Sequence, residues 1–213
     1  MPSPSPGPQG SILYSVTATS ATNAWAVGSA DNQGTFTTLI LHWNGATWTR
    51  VPSPSPTISP ELYGVTATSA SNAWAVGWSA VSDLSGSKTL ILHWNGKTWT
   101  QVPSPNPGGS GSGHSNILQS VTATSASNVW AAGFTQEPAS GSKNMILHWD
   151  GKTWTQVPSP DPFCSTCDSL YGVTATSASS AWAVGTLNSG AEVVILRWNG
   201  TTWKNSPSAP LPG

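Results

Sequence analysis

Three of the four histidines, His42, His93 and His148, stand in one recurring context, Ile-Leu-His-Trp, and Arg197 takes that place in a fourth, Ile-Leu-Arg-Trp. Imidazoles repeated in register could converge on a metal ion if the strand carrying them lined a symmetry axis. The plainer role is a hydrogen-bonded structural histidine between repeats, which Arg197 could fill with its planar donor group. The two cysteines, Cys164 and Cys167, form a Cys-Ser-Thr-Cys pair. A structural zinc site takes four ligands and the chain has no second pair, while the Pro- and Ser-rich surroundings lack the strand-to-helix setting of a redox-active pair. A short-range disulfide and two idle thiols are both compatible with the spacing.

Hydrolytic chemistry needs paired carboxylates, and nucleophilic chemistry needs a Ser or Cys beside a His with an orienting acid. The eight acids, Asp31, Glu61, Asp83, Glu137, Asp150, Asp161, Asp168 and Glu192, fall mostly in loops at positions that do not match between repeats. No catalytic motif emerges, and the expectation is a protein that is not an enzyme, with no cofactor and no metal. Tryptophan offers other chemistry, because an exposed indole stacks on sugar faces. Trp25, Trp74, Trp130 and Trp182 recur at one position, which points to a core between repeats. Trp78 is different, since Ser29, Phe134 and Thr186 hold its place elsewhere. Trp78 and Phe134, with Asp83 and Glu137 from the neighbouring variable loops, are the expected ligand-binding residues.

These residues sit on a repeated scaffold. Val-Thr-Ala-Thr-Ser begins at Val16, Val65, Val121 and Val173, and each copy continues through Ala-Trp-Ala-Val-Gly or a variant, Leu-His-Trp-Asn-Gly or a variant, Thr-Trp and a Pro/Ser-rich tail. Within one copy the pattern reads as four short strands, Leu62 to Ser69, Ala73 to Trp78, Thr89 to Trp94 and Lys97 to Val102. The last two are expected to meet across a tight Asn95-Gly96 hairpin turn, a signal repeated at Asn44-Gly45, Asp150-Gly151 and Asn199-Gly200. No apolar 3.6-residue period is sustained, so no helix is expected.

Tight and long connections alternate, the wiring of a β-propeller blade. The chain therefore reads as one all-β domain of four four-stranded blades, approximately 11–56, 57–107, 108–162 and 163–206, with Pro/Ser-rich flanks at 1–10 and 207–213. They form either a four-bladed ring or half of an eight-bladed dimeric ring. Volume places Val-Thr-Ala-Thr-Ser at the crowded axis and the Trp-bearing hairpin at the wide rim. Asn-Ala-Trp-Ala-Val-Gly at 72–77 and His-Trp-Asn-Gly-Lys-Thr-Trp at 93–99 resemble the repeats of bacterial Trp-rich propellers of the kelch-like or galactose-oxidase-like kind. That resemblance implies surface binding, carbohydrate binding or service as a platform.

Charged residues make up 7% of the chain, against about 25% in ordinary domains, and the net charge is -1. Nothing here suits a phosphate backbone or anionic lipid, so neither nucleic acid nor membrane insertion is expected. Pro-Ser-Pro-Ser-Pro at 2–6 repeats the phrase at Pro52 to Pro56, as expected of a segment cut from a longer chain whose export signal lies elsewhere. The functional expectation is a secreted or cell-surface binding module, monomer or homodimer, holding a carbohydrate or protein ligand on variable loops. A structural or oligomerisation propeller is the alternative, and a glycan-processing enzyme is ranked below both.

Overall fold

Small and β-branched residues alternating over short spans, punctuated by Ser-Ala-Ser and Asn-Gly turns, fold each repeat as an antiparallel meander. The computed structural model describes residues 4–56, 58–81, 85–160, 168–187 and 192–206. The first sheet comprises β1 (Gly10–Ser20), β2 (Asn23–Asn32), β3 (Thr35–Trp43) and β4 (Trp48–Arg50). The second comprises β5 (Ile58–Ser69), β6 (Asn72–Ala80), β7 (Ser87–Trp94) and β8 (Trp99–Gln101). The third holds β9 (Ser115–Ser125), β10 (Asn128–Glu137), β11 (Gly141–Trp149) and β12 (Trp154–Gln156), and the fourth β13 (Ser169–Ser177), β14 (Ser180–Leu187), β15 (Glu192–Trp198) and β16 (Trp203–Asn205). In every sheet spatial order follows chain order. The first strands meet one another, β1 on β5, β5 on β9 and β9 on β13. These are the four blades of a β-propeller, with Val-Thr-Ala-Thr-Ser innermost and the short Thr-Trp strand outermost.

The outer hairpin differs from the two-residue turn expected at Asn-Gly. Trp94 pairs with Trp99, so the loop holds four residues, 95–98. Asn95 Oδ1 accepts the N–H groups of Lys97 and Thr98, each at 3.0 Å, and the left-handed conformation falls on Gly96 (φ 91°). The side chain acts only as an acceptor, so Asp150 serves equally in the third blade, bonding Lys152 and Thr153. This turn shortens the fourth strand to three residues, Trp99–Gln101, rather than the span to Val102 read from the sequence.

Each innermost strand also bulges at one repeat position: Tyr14, Tyr63, Gln119 and Tyr171 have no partner across the hairpin. The bulge turns a carbonyl of the first strand onto the glycine opposite. A Cβ at Gly77 would collide with the Glu61 carbonyl, and one at Gly28, Gly133 or Gly185 would meet its counterpart. That collision explains the invariant glycine after Trp-Ala-Val or Trp-Ala-Ala.

Blades adhere through one repeated apolar seam. Trp25, Val27 and Ile40 of the first blade pack against Leu62, Val65, Leu90, Leu92 and Trp99 of the second. Trp74, Val76 and Ile91 pack in the same way on the third blade, and Trp130, Ala132 and Ile146 on the fourth. Each of these indoles is enclosed by aromatic rings. Trp74 lies 4.1 Å from His93 of its own blade and 5.0 and 5.4 Å from Trp149 and Trp154 of the next. The histidine is held in place from behind: His93 Nε2 lies 2.7 Å from Asn72 Oδ1, and Asn72 Nδ2 donates to Thr68 Oγ1 at 2.6 Å. His42 and His148 repeat this arrangement with Asn23 and Asn128. In the fourth blade Ser180 replaces the asparagine, and Arg197 lies over Trp182 at 5.1 Å.

Two outcomes follow from the seam. Trp74→Ala should cost about 3–5 kcal/mol in urea denaturation, whereas Trp182→Ala, which no following blade covers, should cost clearly less; equal losses would contradict the packing. Burial also lowers His42, His93 and His148 from their ordinary pKa of 6.5. The unfolded chain then takes up protons more readily than the folded one, so stability is full above 6.5 and is lost as pH falls through the depressed folded values. The denaturation midpoint should drop between about pH 7.5 and about pH 5, and His93→Gln should remove part of that slope. A flat profile would refute the assignment.

Candidate ligand-binding site

The innermost strands of the first two blades meet at their bulges, and there the structure assembles an aromatic cluster around a carboxylate. Tyr14 of β1 and Tyr63 of β5 form an edge-on pair with ring centroids 4.9 Å apart. Trp78 of β6 donates its indole N–H to the Tyr63 hydroxyl at 3.0 Å. Tyr14 donates its hydroxyl to Glu61 Oε2 at 3.4 Å. Burial, with smaller contributions from hydrogen bonding and the charge of Glu61, pushes the Tyr63 phenol up to about 12. Burial is likewise the main cause that raises Tyr14, followed by Glu61. Both phenols are therefore neutral donors at any physiological pH. The indole N–H of half-buried Trp78 is satisfied within the cluster, and Tyr14 stays 45% exposed. What the cluster offers outward is ring surface, phenolic oxygen and one carboxylate.

The sequence pattern does not single out Tyr14, Tyr63 and Glu61 as neighbours. Counting back from the Ala70-Ser71 turn would set Trp78 opposite Tyr63, but two register shifts set it opposite Glu61. A tyrosine at one repeat position in three of four units, Tyr14, Tyr63 and Tyr171, was the available signal. The paired replacement of His by Arg197 and of Asn by Ser180 was a second signal, for the histidine network.

The other expected residues lie elsewhere. Phe134 is half-buried in β10, in register with Ile117 and Asn144. Glu137, at the end of the same strand, accepts the Ser140 hydroxyl at 2.6 Å, and that bond is the main cause holding its carboxyl below the usual range. Asp83, Cys164 and Cys167 lie outside the described residues. His42, His93 and His148 stand on the third strands of separate blades, each bonded to its own asparagine. Among the described residues no group of three or more His, Cys, Asp or Glu is placed to hold a metal ion.

A concavity of about 740 Å³ lies beside the variable hairpin end of the second blade. Ser79, Lys88, Thr89, Gln101, Ser104 and Asn106 line it. Here the proline-rich tail docks on β7: Thr89 Oγ1 lies 2.8 Å from Ser104 Oγ and donates to the Pro105 carbonyl at 3.1 Å. Thr89, Ser104 and Asn106 of this cleft are thus engaged in fixing the tail.

No family model and no curated protein matches the chain. Solved structures do. A fungal lectin from Aleuria aurantia, a six-bladed β-propeller with a fucose recognition mode, superposes with a TM-score of 0.56 at 13% identity, over 95% of this chain and 65% of its own. This chain thus spans 65% of that lectin's length. A fucose lectin from Kordia zhangzhouensis (TM-score 0.44, 13% identity) matches 69% of this chain and 99% of its own, and YCF48 bound to a D1 peptide (TM-score 0.44, 12% identity) matches 96% and 70%. By fold, the chain is a β-propeller of four blades.

Proposed function

We propose that this propeller is a non-catalytic, extracellular binding module whose ligand is a carbohydrate held at Tyr14, Glu61, Tyr63 and Trp78. The cluster itself carries the reading. Aromatic rings offer a flat apolar face to the C–H side of a pyranose, while phenol and carboxylate engage its hydroxyls, and both kinds of contact are concentrated at one place on a chain otherwise poor in charge. The lectin with the matching propeller fold favours the same ligand class. The carboxylates with described hydrogen bonds favour binding over hydrolysis. Asp31 caps a turn through the Gly34 N–H at 2.7 Å, Asp150 caps another, Glu137 holds Ser140, and Glu61 is bonded to Tyr14.

A glycan array followed by calorimetry tests the proposal. The chain should bind at least one glycan, and Trp78→Ala and Tyr14→Ala should each weaken that binding by about tenfold, the equivalent of 1.4 kcal/mol. Glu61→Gln should narrow the range of glycans recognised. The glycan should be recovered intact after prolonged incubation. Binding to no glycan, or binding indifferent to Trp78 and Tyr14, would remove the reading, and hydrolysis of the glycan would remove its non-catalytic part.

A further inference from the structure

The seam is made three times within the chain, and its two halves are each present once more without a partner. On the fourth blade Val184 and Ile195 are 46% and 44% exposed, whereas their counterparts Val76 and Ile91 are fully buried. On the first blade Leu13 and Val16 are 42% and 67% exposed, against 0% and 6% for Leu62 and Val65. No packing comparable to the internal seams joins these two blades to each other among the described residues.

The vacant half on the first blade has the shape of the occupied ones. Trp43 and Trp48 stand 5.8 Å apart at 45°, and the filled receptors Trp94/Trp99 and Trp149/Trp154 show 5.9 Å at 42° and 6.0 Å at 43°. Between Trp48 and Leu13, Val16 and Leu41 lies a cavity of about 430 Å³, lined by the counterparts of Trp99, Leu62, Val65 and Leu92, on which Trp25, Val27 and Ile40 pack in the first internal seam. The backbone on the other side fits as well. At the middle seam Gly64 lets the neighbouring strand approach so closely that a Cβ would sit 3.1 Å from Ser120 Cα and Val121 N. Its counterpart on the fourth blade, Gly172, has nothing beyond its own blade near that position.

We propose that the fourth blade of one copy of this chain docks on the first blade of a second copy, head to tail, repeating the internal seam. Trp182 enters the Trp43/Trp48 receptor, and Val184 and Ile195 cover Leu13 and Val16. The occupant is a second copy because donor and acceptor faces lie at opposite ends of one chain, so each copy supplies what the other lacks. Contact of donor with donor would bring two Arg197 side chains together and leave the receptor vacant. Ser206 stands where Val51, Val102 and Val157 pack on the internal seams, so this seam lacks one apolar contact and is the weakest of the set. Tyr14 lines the same cavity, so the docking face borders the proposed carbohydrate site, although the docking does not rest on that reading.

Single-face variants test it. Sedimentation of the unaltered chain over a dilution series should show mass above 22.0 kDa that falls to the single-chain value on dilution or holds at a fixed multiple. Val16→Asp and Val184→Asp, both at exposed positions, should keep the β-sheet circular dichroism spectrum and weaken self-association about 100-fold or more, as expected for a charge forced into an apolar contact. An equimolar mixture of the two should restore a two-chain species, because one intact donor and one intact acceptor remain. A single-chain mass for the unaltered protein at every concentration would overturn the proposal. So would self-association that survives either variant, or a mixture that stays single-chain.

Discussion

The propeller depends on one contact repeated between blades: an indole held between the imidazole of its own sheet and two indoles of the next. A tryptophan removes roughly 150–250 Å² from water, and aromatic pairs in tilted and edge-on geometry add about 0.5–1.5 kcal/mol beyond that burial. The Thr-Asn-His relay behind each ring fixes the angle at which the next sheet must approach. Wedge shape follows from where volume is placed, with alanine, threonine and serine on the inner strand and three tryptophans towards the rim. Hydroxyls and amides, with one carboxylate, then do the work usually left to ion pairs: the tail rests on Thr89 and Ser104, and the turns rest on Asn44, Asn95, Asp150 and Asn199.

Against this uniform background the aromatic cluster of Tyr14, Glu61, Tyr63 and Trp78 marks where the repeat is broken. Every inner strand bulges, but only the second blade sets a tryptophan and a glutamate beside its bulged tyrosine. Ser29 and Thr186 leave the equivalent place without an aromatic ring, and Gln119 removes the tyrosine from the third blade. The cluster is thus built from local departures on a scaffold whose sheet order all four blades share.

Much of this architecture was legible in the amino-acid order. The repeat, the strand count, the absence of helices and the radial order of small and large residues all follow from periodicity and volume, quantities that a linear string records faithfully. The hairpin turn was misjudged because Asn-Gly signals a tight turn equally well when its side chain, rather than left-handed backbone at both central positions, forms the bend. The aromatic cluster was only half legible. Trp78 stood out as an irregular aromatic, but its neighbours Glu61 and Tyr63 depend on two register shifts, and a bulge leaves no periodic trace. Glu137 stands out in the sequence only as a residue beside a variable loop, a criterion that measures freedom from packing rather than convergence on a point.

Because each sheet is secured only by its immediate neighbours, the molecule behaves as a zipper and not as a vault with a keystone. Its middle sheets are gripped on both faces and its outer sheets on one. In the dissociated chain amide hydrogens should therefore exchange in a gradient, fastest in the first and fourth sheets and slowest in the second and third. Evolution could lengthen or shorten such a protein by whole sheets, leaving those that remain undisturbed.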